Sequence, residues 1–242
     1  MSAAGRLRSL HVPGTPLLLP NAWDAASARL VEQAGFPVVA TSSAAVAEAL
    51  GFADGQQAPV GEMLAAAARI AAAVEVPVTV DAEAGYDLPP AELAERLLGA
   101  GAAGCNLEDT VPGAGLRDVA EQADYLAAVR AAAGDALVLN ARVDVFLGAQ
   151  DQAAVLDEAV TRARAYLAAG ADCVYPILVR SAEVLREFVE AVSPAAVNGN
   201  LRPGGDLAEL ADAGVARVSL GPGLWRAQQS WLADQLAALK PA

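Results

Sequence analysis

Apolar residues recur along the chain in short runs that predict strands, and a stretch with helical spacing follows each run. Eight runs are rich in β-branched residues and end near a Gly, Pro or acidic residue. The predicted strands are 17–20, 37–42, 77–81, 104–108, 137–142, 173–177, 196–198 and 217–220. The predicted helices are 24–34, 61–73, 91–99, 119–132, 152–168, 182–192, 206–213 and 224–239.

Strict alternation of strands and helices favours a parallel sheet, because the crossovers are long enough to hold a helix. Eight units within 242 residues favour a single (β/α)₈ barrel domain over residues 1–242. The alternative is an open Rossmann-like sheet, but no GxGxxG follows the first predicted strand. In such a barrel the functional residues follow the carboxyl ends of the strands.

Composition narrows the set of partners. The chain has 16 Lys and Arg against 29 Asp and Glu, a net charge of −13, which disfavours nucleic acid and anionic membranes. A small anionic substrate remains compatible, since a bound divalent cation reverses the local potential. No apolar run reaches the roughly 18 to 20 residues of a membrane span and the N-terminus lacks a signal-peptide core, so we expect a cytoplasmic protein. Cys105 and Cys173 lie in apolar segments and are predicted to be buried, reduced thiols.

Acidic residues cluster where three predicted strands end. Asp81 and Glu83 in VDAEAGY are two positions apart, so they project on the same side, and NLEDT adds Glu108 and Asp109 at the next strand. NARVD then brings Arg142 to the same rim. Oxygen ligands without His suit Mg²⁺, or Mn²⁺, held partly through water. The alternative is that these acids cap helices or form ion pairs at the barrel mouth.

Several motifs occur in the order found in a known superfamily. They are PNAWDAASARLVEQAGF, TSSAAVAEALGFADG, VDAEAGY, NLED, NARVD and GVARVSLGPGLWRA. Together they run from about residue 18 to 227 and resemble the isocitrate lyase and phosphoenolpyruvate mutase superfamily. The resemblance implies a (β/α)₈ barrel enzyme that uses Mg²⁺ to form an enolate from a small 2-oxo acid or phosphonate.

The resemblance also implies roles for individual positions. The metal ligands, direct or through water, would be Asp81, Glu83, Glu108 and Asp54. The substrate-binding residues would be Trp23, Asp24, Ser42, Ser43, Ala44, Asp81, Arg142, Asn198 and Asn200. Among the catalytic residues, the resemblance implies Arg142, which would pair with the distal or leaving group of the substrate. Where the chain departs from its relatives, Thr110 and Arg117 are the nearest candidates for catalytic groups, and Tyr86 and Asp109 are possible proton carriers.

The loop after the fourth predicted strand departs from these relatives. It reads EDTVPGAGLRD and lacks the Cys that serves lyases of the superfamily as an acid, as well as the Lys and Asn of the mutases. The sixth strand ends VYPIL, without the Glu that lyases place there. We therefore expect oxaloacetate decarboxylation or retro-aldol cleavage of a small 2-oxo acid. Phosphorus–carbon bond chemistry and a binding protein without turnover stay open as alternatives.

The last predicted helix, 224–239, carries Trp225, Leu232, Leu236 and Leu239 at helical spacing. The superfamily exchanges its final helix between subunits. We therefore expect a homodimer or homotetramer with this segment at the interface.

Overall fold

A computed structural model of the chain describes residues 1–239. One nine-stranded sheet forms the barrel, and a two-stranded antiparallel hairpin projects from its mouth. The strands are β1 Leu17–Leu19, β2 Asn21–Ala22, β3 Val39–Thr41, β4 Val78–Asp81, β5 Gly104–Leu107, β6 Thr110–Val111, β7 Gly115–Leu116, β8 Val138–Val143, β9 Cys173–Pro176, β10 Ala196–Asn200 and β11 Arg217–Ser219. The helices are α1 Ala3–Ser9, α2 Ala25–Gln33, α3 Ser43–Leu50, α4 Val60–Ala71, α5 Pro90–Gly99, α6 Val119–Ala133, α7 Leu156–Ala168, α8 Ala182–Val192, α9 Leu207–Asp212 and α10 Gly223–Ala238.

The barrel closes through its first strand, which is divided in two. β1 pairs in parallel with β11, and β2 pairs in parallel with β3, so the ends of the sheet order belong to one run of chain. Pro20 separates the two segments because it has no N–H to donate. The Asn21 side chain bridges the seam: its Oδ1 accepts from the Leu220 amide at 3.1 Å and its Nδ2 donates to the Thr41 carbonyl at 2.7 Å.

The predicted (β/α)₈ barrel is confirmed. Its nine strands count as eight staves, the strand positions around the barrel, because β1 and β2 together occupy the first position. All eight predicted strands are present, with boundaries that agree within a few residues. Two helices, α1 and α3, were not predicted, and the loop 108–118 contains the hairpin of β6 and β7. Residues 240–242 of the predicted domain lie outside the described residues.

Helix α1 covers the amino-terminal end of the barrel, which we call the floor. Leu7 is fully buried there among Leu17, Val38 and Val138. A Cβ at Gly104 would lie 2.8 Å from Leu7 Cδ2 and 2.9 Å from the Val138 carbonyl oxygen, so this close approach requires glycine. Arg8 Nε donates to Asp172 Oδ1 at 2.6 Å and fixes the helix to the strands.

Helices α2 to α8 surround the barrel and bury residues against it, whereas α9 and α10 have no fully buried residue. The buried side chains of α2 to α8 form one apolar cluster with the outward residues of the strands, including Leu93, Leu126 and Phe188. Cys105 and Cys173 are free and buried, as predicted. Among the residues that the structure describes, no helix combines the length and apolar character needed to span a membrane.

Candidate active site

Two adjoining cavities open at the carboxyl ends of the barrel strands, which we call the mouth. The larger has a volume of about 550 Å³, and its wall combines Asp81 with three arginines, Arg142, Arg202 and Arg226. The smaller, of about 280 Å³, is lined by Asp54, Glu83, Glu108, Thr110 and Arg142, with Ser43, Gly55 and Pro112. Ser43, Asp54 and Arg142 belong to both walls, so the cavities form one continuous site.

Asp81 ends β4 and is held by the chain that follows β3. The Ser43 amide at the start of α3 donates to Asp81 Oδ2 at 3.0 Å, and Thr41 Oγ1 accepts from the Asp81 amide at 2.9 Å. The amino terminus of a helix carries partial positive charge and favours a carboxylate. Ser42 is the N-cap residue of α3, so the sequence TSS both ends the strand and turns the helix toward the acid.

Glu83 lies on a backbone that favours glycine. Its φ is +49°, and Tyr86 and Gln56 nearby also have positive φ values of +57° and +59°. Glu83 Oε2 accepts from the Gln56 amide at 2.5 Å, and Gln56 Oε1 accepts from the Tyr86 amide at 2.6 Å. Burial raises the pKa of Glu83 to about 7, and the nearby charge of Asp81 acts in the same direction. Such unfavourable backbone and charge placement is typical of functional sites.

Glu108 and Arg142 form a buried ion pair beside these acids. Burial raises the pKa of Glu108 to about 8, although the charge of Arg142 opposes the shift. Asp144 orients the guanidinium through two bonds, Nε to Oδ1 at 2.6 Å and Nη2 to Oδ2 at 2.9 Å. Arg142 Nη1 has no acceptor among residues 1–239. This nitrogen binds neither Glu108 nor Asp144, so it can donate to a ligand.

The donors around the smaller cavity fit a hard cation bound partly through water. Within residues 1–239 no three Asp, Glu, His or Cys side chains stand close enough to enclose an ion directly. However, the charge of Asp81 helps to raise the pKa of both Glu83 and Glu108, and the charge of Asp54 helps to raise that of Glu83, through like-charge repulsion. A divalent cation relieves that repulsion, and Mg²⁺ commonly keeps several of its waters.

Comparison with known proteins decides the family. The sequence profile of the family described as phosphoenolpyruvate phosphomutase matches residues 7–240. The chain belongs to that family. The superfamily inferred from the motifs is therefore confirmed. The relatives of the chain are lyases and mutases, which confirms the prediction that it belongs to a superfamily of enzymes.

Relatives of this phosphomutase-family chain include proteins with a stated activity. A 2-methylisocitrate lyase of Bacillus subtilis is 31% identical over 78% of this chain and 64% of its own. An uncharacterised protein of Mycobacterium tuberculosis is 36% identical over 88% of this chain and 80% of its own.

Solved structures of the family share the fold along nearly the whole chain. A candidate phosphonomutase from Burkholderia cenocepacia J2315 is 45% identical, with a TM-score of 0.90 over 97% of this chain and 99% of its own. A 2,3-dimethylmalate lyase is 25% identical, with a TM-score of 0.86 over 99% and 86% of the two chains.

Most of the predicted site residues come together in this family member. The predicted metal ligands Glu83, Glu108 and Asp54 line the smaller cavity with Thr110, and Asp81 lines the larger. The walls of the larger cavity also contain the predicted substrate-binding residues Ser42, Ser43, Ala44, Arg142 and Asn200. Their roles stay predictions.

Arg117 and Tyr86, predicted as catalytic, lie outside the walls of both cavities. Arg117 Nη1 donates to Gln122 Oε1 at 2.6 Å, and its guanidinium lies 5.0 Å from the ring centroid of Tyr125 on α6. The hydroxyl of Tyr86 donates to the Asp81 carbonyl oxygen at 3.4 Å. Asp109, which follows Glu108 in NLEDT, is fully buried between Tyr166 and Arg162. The catalytic roles of Arg117 and Tyr86 stay predictions.

Trp23 and Asp24, predicted to bind substrate, follow β2 and contact two helices, α10 and α2. The ring of Trp23 meets that of Trp225 on α10 edge to face, with centroids 5.2 Å apart. Asp24 Oδ1 accepts from the Ser27 amide at 2.7 Å and caps α2. Neither residue is part of the two cavity walls, and their substrate-binding roles stay predictions.

Asn198, also predicted to bind substrate, lies outside both cavity walls. It is fully buried in the barrel interior, where its Oδ1 accepts from Asn140 Nδ2 and Ser219 Oγ and its Nδ2 donates to the Gly199 carbonyl. Every polar atom of the side chain is thus engaged below the mouth. Asn200, two residues on, reaches the cavity wall.

Sequence reasoning missed several wall residues, including Tyr175, Arg202 and Arg226. Tyr175 lies beside Arg142 as its register partner in the neighbouring strand, a position that strand alternation could have indicated. Arg202 follows β10 in a loop, and Arg226 lies on α10. A loop residue such as Arg202 follows no periodic pattern, and the position of Arg226 beside the cavity depends on how α10 packs against the barrel.

Proposed function

We propose that this chain is a Mg²⁺-dependent carbon–carbon lyase or decarboxylase that acts on a small 2-oxo acid through a pyruvate-type enolate. The proposal is carried by one arrangement: two adjoining cavities whose walls combine the carboxylates of Asp54, Asp81, Glu83 and Glu108 with three arginines. The volume of the larger cavity, about 550 Å³, is in the range typical of small-molecule sites. The lyases among its relatives favour the same reaction class.

Residues of the smaller cavity are suited to bind the metal. Glu83, Glu108 and Asp54, together with Asp81, would hold Mg²⁺ directly or through water. Bound there, Mg²⁺ would act as a Lewis acid on the 2-oxo acid. The Ala44 amide near the start of α3 has no backbone or side-chain acceptor among residues 1–239, so it is free to donate to a substrate oxygen.

The guanidinium groups are suited to a second negative charge on the substrate. Arg142 keeps Nη1 for a ligand, and Arg202 and Arg226 lie on the wall of the same cavity. An Arg pairs with a carboxylate in two-point fashion. A 2-oxo acid with a second carboxylate, such as oxaloacetate, therefore fits the charge of the cavity better than pyruvate does.

The loop of β6 and β7 favours cleavage without a strong acid from that loop. Residues 108–118 contain no Cys, Lys or Asn, and Arg117 is turned onto α6. Carbon dioxide leaves without a proton donor once the enolate is stabilised. Decarboxylation is therefore our first candidate, and retro-aldol cleavage the second.

Phosphorus–carbon chemistry is the alternative reaction class. The 45% identical candidate phosphonomutase favours it, and a cavity with three guanidinium groups also suits a phosphonate dianion. Product analysis separates the two reaction classes. Carbon dioxide or an aldehyde marks carbon–carbon cleavage, whereas free phosphate, or a phosphate ester formed from a phosphonate, marks phosphorus–carbon chemistry.

The test is a turnover screen with and without excess Mg²⁺ over oxaloacetate, 4-hydroxy-2-oxo acids, 2-methylisocitrate and phosphonopyruvate. Asp81→Asn is expected to lower kcat/KM about 1000-fold, since it removes a charge that binds the cation. The matched control is Asp157→Asn, an exposed aspartate on α7, which should leave kcat/KM within twofold. Full activity of Asp81→Asn, or full activity in EDTA, would refute the proposal.

Inactive wild-type protein has a separate readout. Mg²⁺ should raise the melting temperature of wild type and of Asp157→Asn but not that of Asp81→Asn. Stabilisation without turnover on any substrate would identify a binding protein. Equal behaviour of the three proteins toward Mg²⁺ would remove the metal from the proposal.

We also propose that the chain forms a homodimer or homotetramer through α10. No residue of this helix is buried within the described chain, and Trp231, Leu232 and Leu236 are all exposed. An apolar helix face of this kind is typical of a subunit interface. Light scattering should give at least twice the monomer mass of 24.5 kDa, and Trp231→Glu should shift the protein toward monomer.

A further inference from the structure

Tyr175 differs from the other tyrosines in what its hydroxyl does. The chain has 4 tyrosines. Tyr86 donates to the Asp81 carbonyl oxygen, Tyr125 to that of Leu88 at 3.0 Å and Tyr166 to Asp109 Oδ2 at 2.7 Å. The Tyr175 oxygen instead accepts a hydrogen bond, from Asn200 Nδ2.

The direction of that bond follows from the backbone. The Leu178 amide can only donate, and it donates to Asn200 Oδ1 at 3.1 Å. The oxygen of the Asn200 amide group therefore faces Leu178, and its NH₂ group faces Tyr175. The phenol must accept, and its own O–H proton has no acceptor among residues 1–239.

The position of the phenol puts that proton at the site. Tyr175 lies on β9 in register with Arg142 on β8, so the two side chains share a face of the sheet. Both line the larger cavity with Asp81, although Tyr175 is only 4% exposed. Burial raises the pKa of Tyr175 above its ordinary value, so the phenol keeps its proton at neutral pH.

We propose that Tyr175 is a catalytic residue that donates its phenolic proton to the carbon of the substrate-derived enolate, and that Asn200 is its positioning residue. This role rests on the proposed lyase function. It supplies the acid that the loop 108–118 lacks.

The step balances in protons and electrons. The carbon–carbon bond breaks, carbon dioxide leaves, and the electron pair remains on the enolate. The Tyr175 O–H bond then breaks as a new C–H bond forms at the enolate carbon. A carbon acid next to a carbonyl is much weaker than a phenol, so the transfer runs downhill, and water entering through the mouth returns a proton to the phenolate.

The experiment uses the full chain with Mg²⁺ and 3-methyloxaloacetate in D₂O. Wild type should release 2-oxobutyrate with deuterium added to one face of C3. Tyr175→Phe should lower kcat about 100-fold with KM changed less than threefold, and its product should be racemic at C3. Solvent then protonates the enolate from either side. The stereochemical readout separates proton donation from a merely structural role.

Two further variants complete the test. Tyr125→Phe loses a tyrosine hydrogen bond outside the cavities and should keep kcat within twofold and the product stereochemistry intact. Asn200→Ala should give a smaller loss of kcat and partial loss of stereochemistry, because it frees the phenol to turn. Unchanged kcat and stereochemistry in Tyr175→Phe would overturn the role of Tyr175 alone. Failure of wild type to cleave any 2-oxo acid would overturn both this role and the proposed function.

Discussion

The two ends of the barrel bury ionisable groups in opposite ways. At the mouth, carboxylates crowd together, and burial raises the pKa of Glu83 to about 7 and of Glu108 to about 8. At the floor, burial lowers the pKa of His11 to about 3, with the charge of Arg217 acting in the same direction. The mouth borders two cavities, whereas α1 closes the floor.

This difference separates the energetics of function from those of stability. Repulsion among the mouth acids destabilises the free protein and favours a ligand that carries positive charge. The floor contributes apolar burial through Leu7 and an ion pair through Arg8 and Asp172. Substitutions at the floor should therefore change stability, while those at the mouth should change ligand binding and turnover.

The largest expected effect on stability comes from Leu7→Ala at the floor. Leu7 is fully buried, so the loss of its side chain should leave a cavity and lower the free energy of unfolding by about 3 kcal/mol. Chemical denaturation measures it, with Leu30→Ala as the control, because Leu30 is 66% exposed. Molecules that remain folded should keep wild-type kcat. A loss below about 1 kcal/mol would show that α1 is not a stabilising cover.

A second, smaller effect concerns His11, the one histidine of the chain. Its pKa is about 3 when folded and about 6.5 when unfolded, so the unfolded state binds the proton first as the pH falls. Stability should decline below pH 6.5 by up to about 1.4 kcal/mol per pH unit. His11→Gln should remove this component. The measured quantity is the difference in unfolding free energy between wild type and variant, which should be constant above pH 7.5 and fall below pH 6.5.

The acids of the mouth cancel from that difference because both proteins contain them. A difference that stays constant down to pH 5 would mean that His11 is solvated in the folded protein. Neither of its ring nitrogens has a partner among residues 1–239, which is the observation behind the prediction.

The smallest expected effect on stability is that of Glu83→Gln. Unlike the loss of Leu7, this substitution should raise the stability of the metal-free protein. The folded pKa of Glu83 is raised to about 7, so its destabilising charge appears as the pH rises toward and through 7. The variant should melt a few degrees above wild type at pH 8 without divalent cations and at the same temperature near pH 4. Added Mg²⁺ should reverse the order at pH 8, since wild type alone retains the full ligand set. A variant less stable than wild type in EDTA at pH 8 would contradict the comparison.

The barrel could be predicted because its pattern is local and repeated. Each stave is a short apolar run, and Asp81 and Glu83 follow one of them at a spacing that places them at the mouth. Helices α1 and α3 escaped because both are short and rich in Ala, so neither shows a polar and apolar period. Their roles, closing the floor and presenting the Ser43 amide to Asp81, depend on contacts distant in sequence.

The site was harder to predict because depth within a barrel is not visible in sequence. Asn198 and Asn200 stand on one strand with the same orientation, yet the first lies in the interior and the second reaches the cavity. Arg117 illustrates a related difficulty, since a long side chain in a loop turned onto Tyr125 rather than inward. Tyr175 belongs to none of the motifs of the superfamily, and its place beside Arg142 became visible only from the register of β8 and β9.

The bridge made by Asn21 has a consequence for how this protein can change. Its side-chain amide binds Thr41 on β3 and Leu220 just after β11, across the gap at Pro20, and the same residue forms part of the wall of the larger cavity. Aspartate has no hydrogen to donate to Thr41, and leucine offers neither atom, so no other side chain of similar size serves both neighbours. A substitution of Asn21 would therefore alter the closure of the barrel and the wall of the cavity at the same time, so evolutionary change in one is constrained by the other.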